Sequence, residues 1–162
     1  MLAACSSSSE LTINKAISTP VDHEESIQLV INTKLPEDAD EDDRADAMQV
    51  ATRLRGELYS RLVFEGVFKQ AYHVGQDNDA KYKLDVSINE TDEVSQGARI
   101  FLGVFAGKNE LALNVVLTDR STNEVLTDFI VTGKSASHPL SSEDGMDDAI
   151  REAVDQIVLT LR

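Results

Sequence analysis

The 162-residue sequence contains a single cysteine, Cys5. One cysteine cannot form an intrachain disulfide, and it cannot supply the several thiolates of a structural zinc site. The sequence also lacks any apolar run near the roughly 20 residues that a membrane-spanning helix needs. These absences predict a domain that does not cross a bilayer and is not held together by a disulfide or a thiolate-bound metal.

Basic residues are scarce relative to acidic ones. The chain has 15 Lys and Arg against 29 Asp and Glu, which gives a formal net charge of -14. Such a charge repels phosphate backbones and anionic lipid surfaces, so nucleic acid is not expected as a partner. Much of the excess lies between Glu37 and Asp46, where only Arg44 opposes it. This acidic run is typical of the solvated start of a helix.

The composition is that of a globular chain. Hydrophobic residues make up 41% and charged residues 27% of the sequence, and its length suits one domain with one core. Residues 6–9 are four consecutive serines, and no periodic pattern precedes about Ser26. We therefore expect residues 1–25 to form a flexible tether and residues 26–162 to form a single domain.

Periodic patterns predict the elements of that domain. Alternating or short apolar runs predict five strands, at residues 27–31, 67–74, 82–88, 111–117 and 125–133. Helical spacing predicts two helices, at about residues 40–65 and from Ser141 to the C-terminus. The expected fold is α+β, in the order β-α-β-β-β-β-α. It consists of a single, largely antiparallel sheet of about five strands with two helices packed on it.

The two predicted helices each have an apolar face. In the first helix this face comprises Met48, Ala51, Leu54, Leu58 and Leu62. In the second it comprises Met146, Ala149, Ile150, Ala153, Val154, Ile157, Val158 and Leu161. We expect both faces to pack on the sheet.

The segment Ile100–Phe105 has five large apolar residues in six positions, with Gly103 among them. A continuous apolar run of this kind is typical of a strand buried on both faces. The alternative is a glycine-hinged flap that presents its side chains to a partner protein, another subunit or lipid. On that hypothesis, the partner-binding residues are Phe101, Leu102, Val104 and Phe105.

Motifs for nucleotide binding are not met. Gly103–Lys108 resembles a phosphate-binding loop only superficially, because its glycines are one residue too close and Asn109 replaces the required Ser or Thr. Gly133-Lys134-Ser135 has no preceding glycine at the right distance. We expect no nucleotide and no other cofactor.

Motifs for catalysis and metal binding are also absent. The histidines, which lie far apart without a nucleophile motif nearby, are His23, His73 and His138. Neither Asp77-Asn78-Asp79 nor the acidic run has the spacing and glycine of a calcium loop. The sequence predicts no catalytic residues and no metal site.

The N-terminus resembles a lipoprotein signal. Leu2-Ala3-Ala4-Cys5 is similar to the lipobox of bacterial lipoproteins, in which the cysteine is lipidated and becomes the first residue of the mature chain. Ser6 stands where an aspartate is typical of inner-membrane retention, which favours the periplasmic face of the outer membrane. A secretory signal needs an apolar stretch of roughly 7 to 15 residues. Since only Met1–Ala4 precede Cys5, the sequence as written is expected to be neither exported nor lipidated.

Other segments resemble an uncharacterised family of bacterial periplasmic lipoproteins. They are Gly103–Lys108 before a long strand, Leu117–Asp119, and Val131–Ser135. In that family the hairpin turn typically carries a glycine where this chain has Asn123. The order of elements is also similar to the curli-secretion lipoprotein and to lipoprotein activators of penicillin-binding proteins, which implies a binding or assembly role.

These resemblances imply an outer-membrane lipoprotein that is not an enzyme. Its periplasmic domain would bind another envelope protein or copies of itself, and it would contact the membrane only through the lipid on Cys5. One alternative is a cell-wall or glycan hydrolase, which needs two carboxyl groups within about 10 Å across a cleft. Another is a carrier of an apolar ligand, which needs an internal pocket of at least several hundred Å³.

Overall fold

The computed structural model describes residues 7–17, 19–35, 41–76, 79–89, 110–135 and 142–162. Within these ranges the strands are β1 (Ser8–Lys15), β2 (Ser26–Lys34), β3 (Gln70–His73), β4 (Tyr82–Asn89), β5 (Glu110–Asp119) and β6 (Glu124–Lys134). The helices are α1 (Glu41–Phe64) and α2 (Ser142–Leu161). The predicted α+β class, with two helices and one sheet, is confirmed for this part of the chain.

The sheet has six strands in the order β1-β6-β5-β4-β2-β3. The pairs β1–β6, β6–β5 and β5–β4 are antiparallel, whereas β2 runs parallel to both β4 and β3. Parallel neighbours need a crossover connection, and α1 provides it between β2 and β3. The prediction of about five strands is therefore wrong by one strand, and the sheet is mixed.

The additional strand is β1, which lies within the stretch predicted to be a tether. It pairs with β6 from Ser8 opposite Lys134 to Ile13 opposite Phe129, and the register then shifts before Lys15. The strand has little periodic signal in the sequence, because only Leu11 and Ile13 are large and apolar and because an edge strand needs little burial. Residues 8–15 are thus part of the sheet and do not act as a tether.

Helix α1 buries one side against β2 and β3. Four residues predicted for this face are buried: Ala51, Leu54, Leu58 and Leu62. The fifth, Met48, is 68% exposed, and Ala47 is buried in its place. The reason is that Ala47 lies seven residues before Leu54, which places it on the same side of α1 two turns earlier, whereas Met48 is turned by about 100° from Ala47 around the helix.

Helix α2 lies across β6, β5 and β1. All eight residues of its predicted apolar face are buried. The backbones come closest at Gly133 of β6, where a Cβ atom would lie 1.9 Å from the carbonyl oxygen of Ala149 and 2.8 Å from the amide nitrogen of Ala153. The absence of a side chain at Gly133 therefore sets how closely α2 can approach the sheet.

The predicted hairpin between β5 and β6 is confirmed. Its turn is held by Asp119, whose Oδ1 accepts hydrogen bonds from the Ser121 hydroxyl at 2.5 Å and from the Ser121 and Thr122 amides at 2.8 and 3.3 Å. These bonds, the Ser121 hydroxyl first among them, lower the pKa of Asp119. Asn123 has a φ of 58°, a left-handed conformation that asparagine tolerates better than most residues and that glycine also adopts.

Candidate interaction surfaces

One edge of the sheet is formed by β1 beside α2. The Ser7 hydroxyl donates to Glu152 Oε1 at 2.5 Å, and the Ser9 hydroxyl donates to Gln156 Oε1 at 3.3 Å. A step of two residues along β1 therefore corresponds to a step of four residues along α2. This spacing places Leu11 next to the helical turn that contains Leu159.

Apolar side chains are exposed along this edge. Leu11 is 37%, Ile13 52% and Leu159 63% exposed. Two acidic residues belong to the same edge: Glu152 lies on α2, and Glu10 lies on the face of β1 opposite to Leu11 and Ile13. We call these five residues the β1 surface.

Polar contacts fasten β1 to β6. The Lys134 ammonium donates to Glu10 Oε1 at 2.7 Å, and this bond raises the pKa of Lys134. The Thr127 hydroxyl donates to the carbonyl oxygen of Lys15 at 2.7 Å, while the Lys15 ammonium donates to the Val125 carbonyl. The strand is therefore fixed by side chains as well as by backbone pairing.

The opposite edge of the sheet is formed by β3 beside α1. The Tyr59 ring of α1 stacks on the His73 ring of β3, with centroids 4.9 Å apart and an interplanar angle of 29°. Arg55 lies one turn before Tyr59 on α1, and Met48 lies two turns before Arg55, so all three lie on the same side of the helix. This contact shows which side of α1 faces the β3 edge.

The β3 edge also exposes apolar and basic side chains. Met48 is 68% and Val74 is 64% exposed. Arg55 and Lys69 are exposed as well. We call these four residues the β3 surface.

A groove of about 680 Å³ lies between α1 and α2. It is lined by Arg53, Glu57, Asp147, Ile150 and Arg151. Arg53 Nη1 lies 2.7 Å from Asp147 Oδ1, so one cation and one anion of the lining neutralise each other. Four of the five lining residues are charged, which does not fit a carrier of an apolar ligand.

A second set of ion pairs joins the helices near their C-terminal ends. Arg61 Nη2 lies 2.6 Å from Asp155 Oδ1, and Arg61 also pairs with Glu65, which in turn pairs with Arg162. Burial alone would lower the pKa of Arg61, but Asp155 and Glu65 raise it above its ordinary value. The pairs are partly exposed, so they align the helices without contributing much stability.

Two of the three histidines, His23 and His73, lie in the described part of the chain and contact aromatic side chains. His23 Nδ1 lies 2.7 Å from the Val67 carbonyl oxygen, and its ring packs near Phe68 with centroids 6.1 Å apart. His73 stacks on Tyr59, and its enclosed Nδ1 has no hydrogen-bond partner among the described residues. Neither arrangement pairs a histidine with a nucleophile.

Acidic and histidine side chains do not gather into a metal centre in the described ranges, where no group of three or more His, Cys, Asp or Glu could hold an ion. Neither helix in this part of the chain combines the length and the apolar character needed to span a bilayer. These two findings concern the described residues alone.

The residues predicted for lipidation and partner binding lie outside the described residues. They are Cys5, Phe101, Leu102, Val104 and Phe105. His138, the phosphate-loop-like segment at 103–108 and the Asp77–Asn78 turn also lie outside. The assignments of lipidation to Cys5 and of partner binding to the four apolar residues stay predictions.

The two-layer arrangement of a six-stranded sheet and two helices defines the class of domain. Residues 9–139 match the family described as a domain of unknown function, DUF4410. Because the match covers most of the chain, the chain belongs to this family. The resemblance to a family of unknown function is thereby confirmed. No curated protein matches the chain significantly.

Solved structures share the fold at low sequence identity. The PelC dodecamer of Paraburkholderia phytofirmans is 12% identical over 90% of this chain and 96% of that chain, with a TM-score of 0.55. Protein XCC0632 of Xanthomonas campestris, from the family DUF330, is 13% identical over 92% of this chain and 87% of that chain, with a TM-score of 0.52. At such identities the likeness is one of fold. The similarity to the curli-secretion lipoprotein and to activators of penicillin-binding proteins stays a prediction.

Proposed function

We propose that this chain is a lipid-anchored bacterial envelope protein whose domain self-associates and serves as a scaffold for other envelope proteins, without catalysing a reaction. The observation that carries the proposal is the fold that the chain shares with PelC, which is a dodecamer. The two edges of the sheet add to it, because among the described residues each outer strand has one neighbouring strand and lies beside exposed apolar side chains. Such surfaces are typical of protein–protein contacts.

The chemistry of the groove favours a scaffold over a hydrolase. A glycoside hydrolase needs one carboxyl group to give a proton and another to act as base or nucleophile. In the groove between α1 and α2, Asp147 is held by Arg53. Because Arg53 occupies that carboxylate, Asp147 is not free to act on a substrate, and Glu57 is the other carboxyl group in the lining of the groove.

The proposed anchor holds the domain close to the membrane. From Cys5 to Ser8, where β1 begins, the extended chain spans at most about 10 Å. The long tether expected from the sequence is therefore replaced by a short one. In this proposal the sheet end that carries Ser8, Lys34 and Lys134 faces the bilayer.

The same end of the sheet bears the ends of two other strands. β4 ends at Asn89 and β5 begins at Glu110, and Ile88 pairs with Leu113 near that end. The chain between Asn89 and Glu110 includes the apolar residues predicted to bind a partner. Its two points of attachment lie on the side of the domain that the anchor brings to the membrane.

Incorporation of labelled palmitate tests the anchor. We expect the protein expressed from its natural gene to incorporate the label and to fractionate with the outer membrane. Cys5→Ser is expected to lose both properties completely, because the thiol is the only attachment point. Ser6→Ala, which leaves the cysteine in place, is the matched control and should behave as the unaltered protein. An unaltered protein that is found unlabelled in the cytoplasm would contradict the proposal.

A further inference from the structure

We infer that the face of the sheet turned away from the helices packs against the same face of a second copy, around a two-fold axis that runs along the strands. We call this face the open face. The inference rests on the proposed self-association and names the surface and the symmetry that carry it. The partner is a second copy of the same chain.

Both described helices lie on one face of the sheet. Leu29 of β2 stands opposite Leu84 of β4, which stands opposite Leu117 of β5, and all three are buried in the core that the helices cover. The two helices also contact each other, as the ion pair between Arg53 and Asp147 shows. Because side chains alternate between the two faces along a strand, the residues next to these buried ones belong to a face that neither helix covers.

The open face consists of side chains that are partly or fully exposed. Strand register places its central residues in two rows across β2, β4, β5 and β6, which are Val30, Asp85, Val116 and Asp128 in one row and Asn32, Ser87, Asn114 and Ile130 in the next. None of these eight side chains is aromatic, and none is a long flexible cation. A flat face of this kind suits packing against another sheet, with the strands of the two sheets nearly aligned.

The dimensions of the open face suit a stable contact. The five longer strands have eight or more residues each. At about 4.8 Å of width per strand and about 3.3 Å per residue, they form a plane of roughly 600 Å². The relief of the side chains adds to the accessible area. Two such faces therefore reach the range of about 1,200 to 2,000 Å² that specific, stable interfaces bury.

Charges on the open face balance each other. Lys83 Nζ lies 2.9 Å from Asp85 Oδ2, and Lys134 Nζ lies 2.7 Å from Glu10 Oε1. The other charged side chains at these strand positions, two lysines and two carboxylates, are Lys15, Lys34, Glu110 and Asp128. A chain with a formal net charge of -14 repels its own copies at most orientations. An approach through a balanced face avoids that repulsion.

The two-fold arrangement makes the open face complementary to itself. The strand order is β1-β6-β5-β4-β2-β3, so an axis between β4 and β5 places β4 opposite β5, and β2 opposite β6, of the second copy. Val30 then lies within one row of Ile130 of the second copy. Ser87 lies opposite Asn114 of the second copy, where a hydroxyl and an amide can form a hydrogen bond. Apolar contacts therefore flank a polar centre.

The direction of the axis follows from the proposed anchor. An axis along the strands leaves the sheet ends that carry Ser8 on the same side of the dimer, so both lipids reach one bilayer. An axis across the strands would place the two anchors at opposite ends. A two-fold contact uses the same patch on both copies and closes at two copies.

Thiol cross-linking tests the open face in the full chain carrying Cys5→Ser. Asn114→Cys places the only thiol at the centre of the face, close to the axis. A short bis-maleimide should convert this variant to covalent dimers and to no larger product. Phe64→Cys, at a position 84% exposed on α1, is the control and should give no product.

A charge substitution tests the same face by a second route. Asn114→Glu places two like charges next to each other across the axis, so the dissociation constant of the dimer should rise by roughly tenfold or more. Leu159→Glu adds the same charge on α2, on the far side of the sheet, at a side chain that is 63% exposed. It should leave the dimer intact. Light scattering on a dilution series measures the masses, and circular dichroism checks that each variant is folded.

The outcomes separate this inference from the proposed self-association. An oligomer that cross-links through Phe64→Cys and not through Asn114→Cys would overturn the inference and leave self-association intact. A monomer of the Cys5→Ser chain at every concentration would overturn both. If the Asn114→Cys thiol of that monomer also resisted maleimide, a segment of the same chain would be the cover of the open face.

Discussion

Gly133→Ala is expected to lower the free energy of unfolding by about 3 kcal/mol or more. A methyl group at this position would lie 1.9 Å from the carbonyl oxygen of Ala149 and 2.8 Å from the amide nitrogen of Ala153. Both atoms belong to the backbone of α2, so no side-chain rotation can relieve the overlap. The whole helix would have to move away from the sheet and would lose contact between its apolar face and the core. Urea unfolding followed by circular dichroism measures the effect.

Gly56→Ala is the matched control for this substitution. Gly56 lies within α1, and a Cβ atom there would meet nothing within 4 Å. Because alanine favours the helix over glycine by about 1 kcal/mol, this change should stabilise the protein. Equal effects of the two substitutions would mean that α2 does not approach β6 as closely as the structure shows.

Removing β1 is expected to lower the melting temperature by roughly 10 °C or more. A chain that starts at Ala16 loses seven residue pairs with β6. It also loses the bond from Thr127 to the Lys15 carbonyl, so the Thr127 hydroxyl, which is almost fully buried, would have to find another partner. The new outer strand, β6, would carry Phe129 and Val131 nearer to solvent.

A chain that starts at Ser7 is the control for this truncation. It keeps the whole of β1 and the bond from Ser7 to Glu152, so its melting temperature should equal that of the full chain. Differential scanning calorimetry on the three chains compares them directly. If the chain starting at Ala16 melted like the full chain, residues 8–15 would be a tether after all.

The two cases differ in what periodicity can reveal. Helix α2 was predictable because its eight apolar residues repeat at helical spacing over about four turns, and burial against the sheet requires that pattern. β1 is an outer strand, and only one of its faces is partly covered by a helix. Leu11 and Ile13 are therefore the only large apolar residues that it needs. A serine run beside it is equally compatible with a tether.

The parallel pairing of β2 depends on the chain's path and not on local sequence. β2 and β4 each have an alternating pattern that a parallel or an antiparallel neighbour would satisfy equally well. The prediction for α1 was also wrong at one residue. It placed Met48 on the buried face, whereas the neighbouring Ala47 is buried and Met48 is exposed. Helical spacing identifies a face, but its exact centre is fixed by packing.

The candidate surfaces were less predictable than the fold. Leu159 is far from Leu11 and Ile13 in sequence, and only the folded structure, with hydrogen bonds from Ser7 and Ser9 to α2, brings the strand and the helix side by side. The sequence directed attention to Phe101 and its neighbours, because a continuous apolar run stands out in one dimension. A surface assembled from a few residues of two distant elements leaves no such signal.

The mass of the Cys5→Ser protein in solution tests the central claim most directly. Multi-angle light scattering after size exclusion should give one species at a fixed multiple of the 17.7 kDa chain, with the same mass on dilution. That result is expected because most soluble homo-oligomers are closed assemblies of fixed size. A 17.7 kDa monomer at every concentration would contradict self-association and, with it, the proposed scaffold.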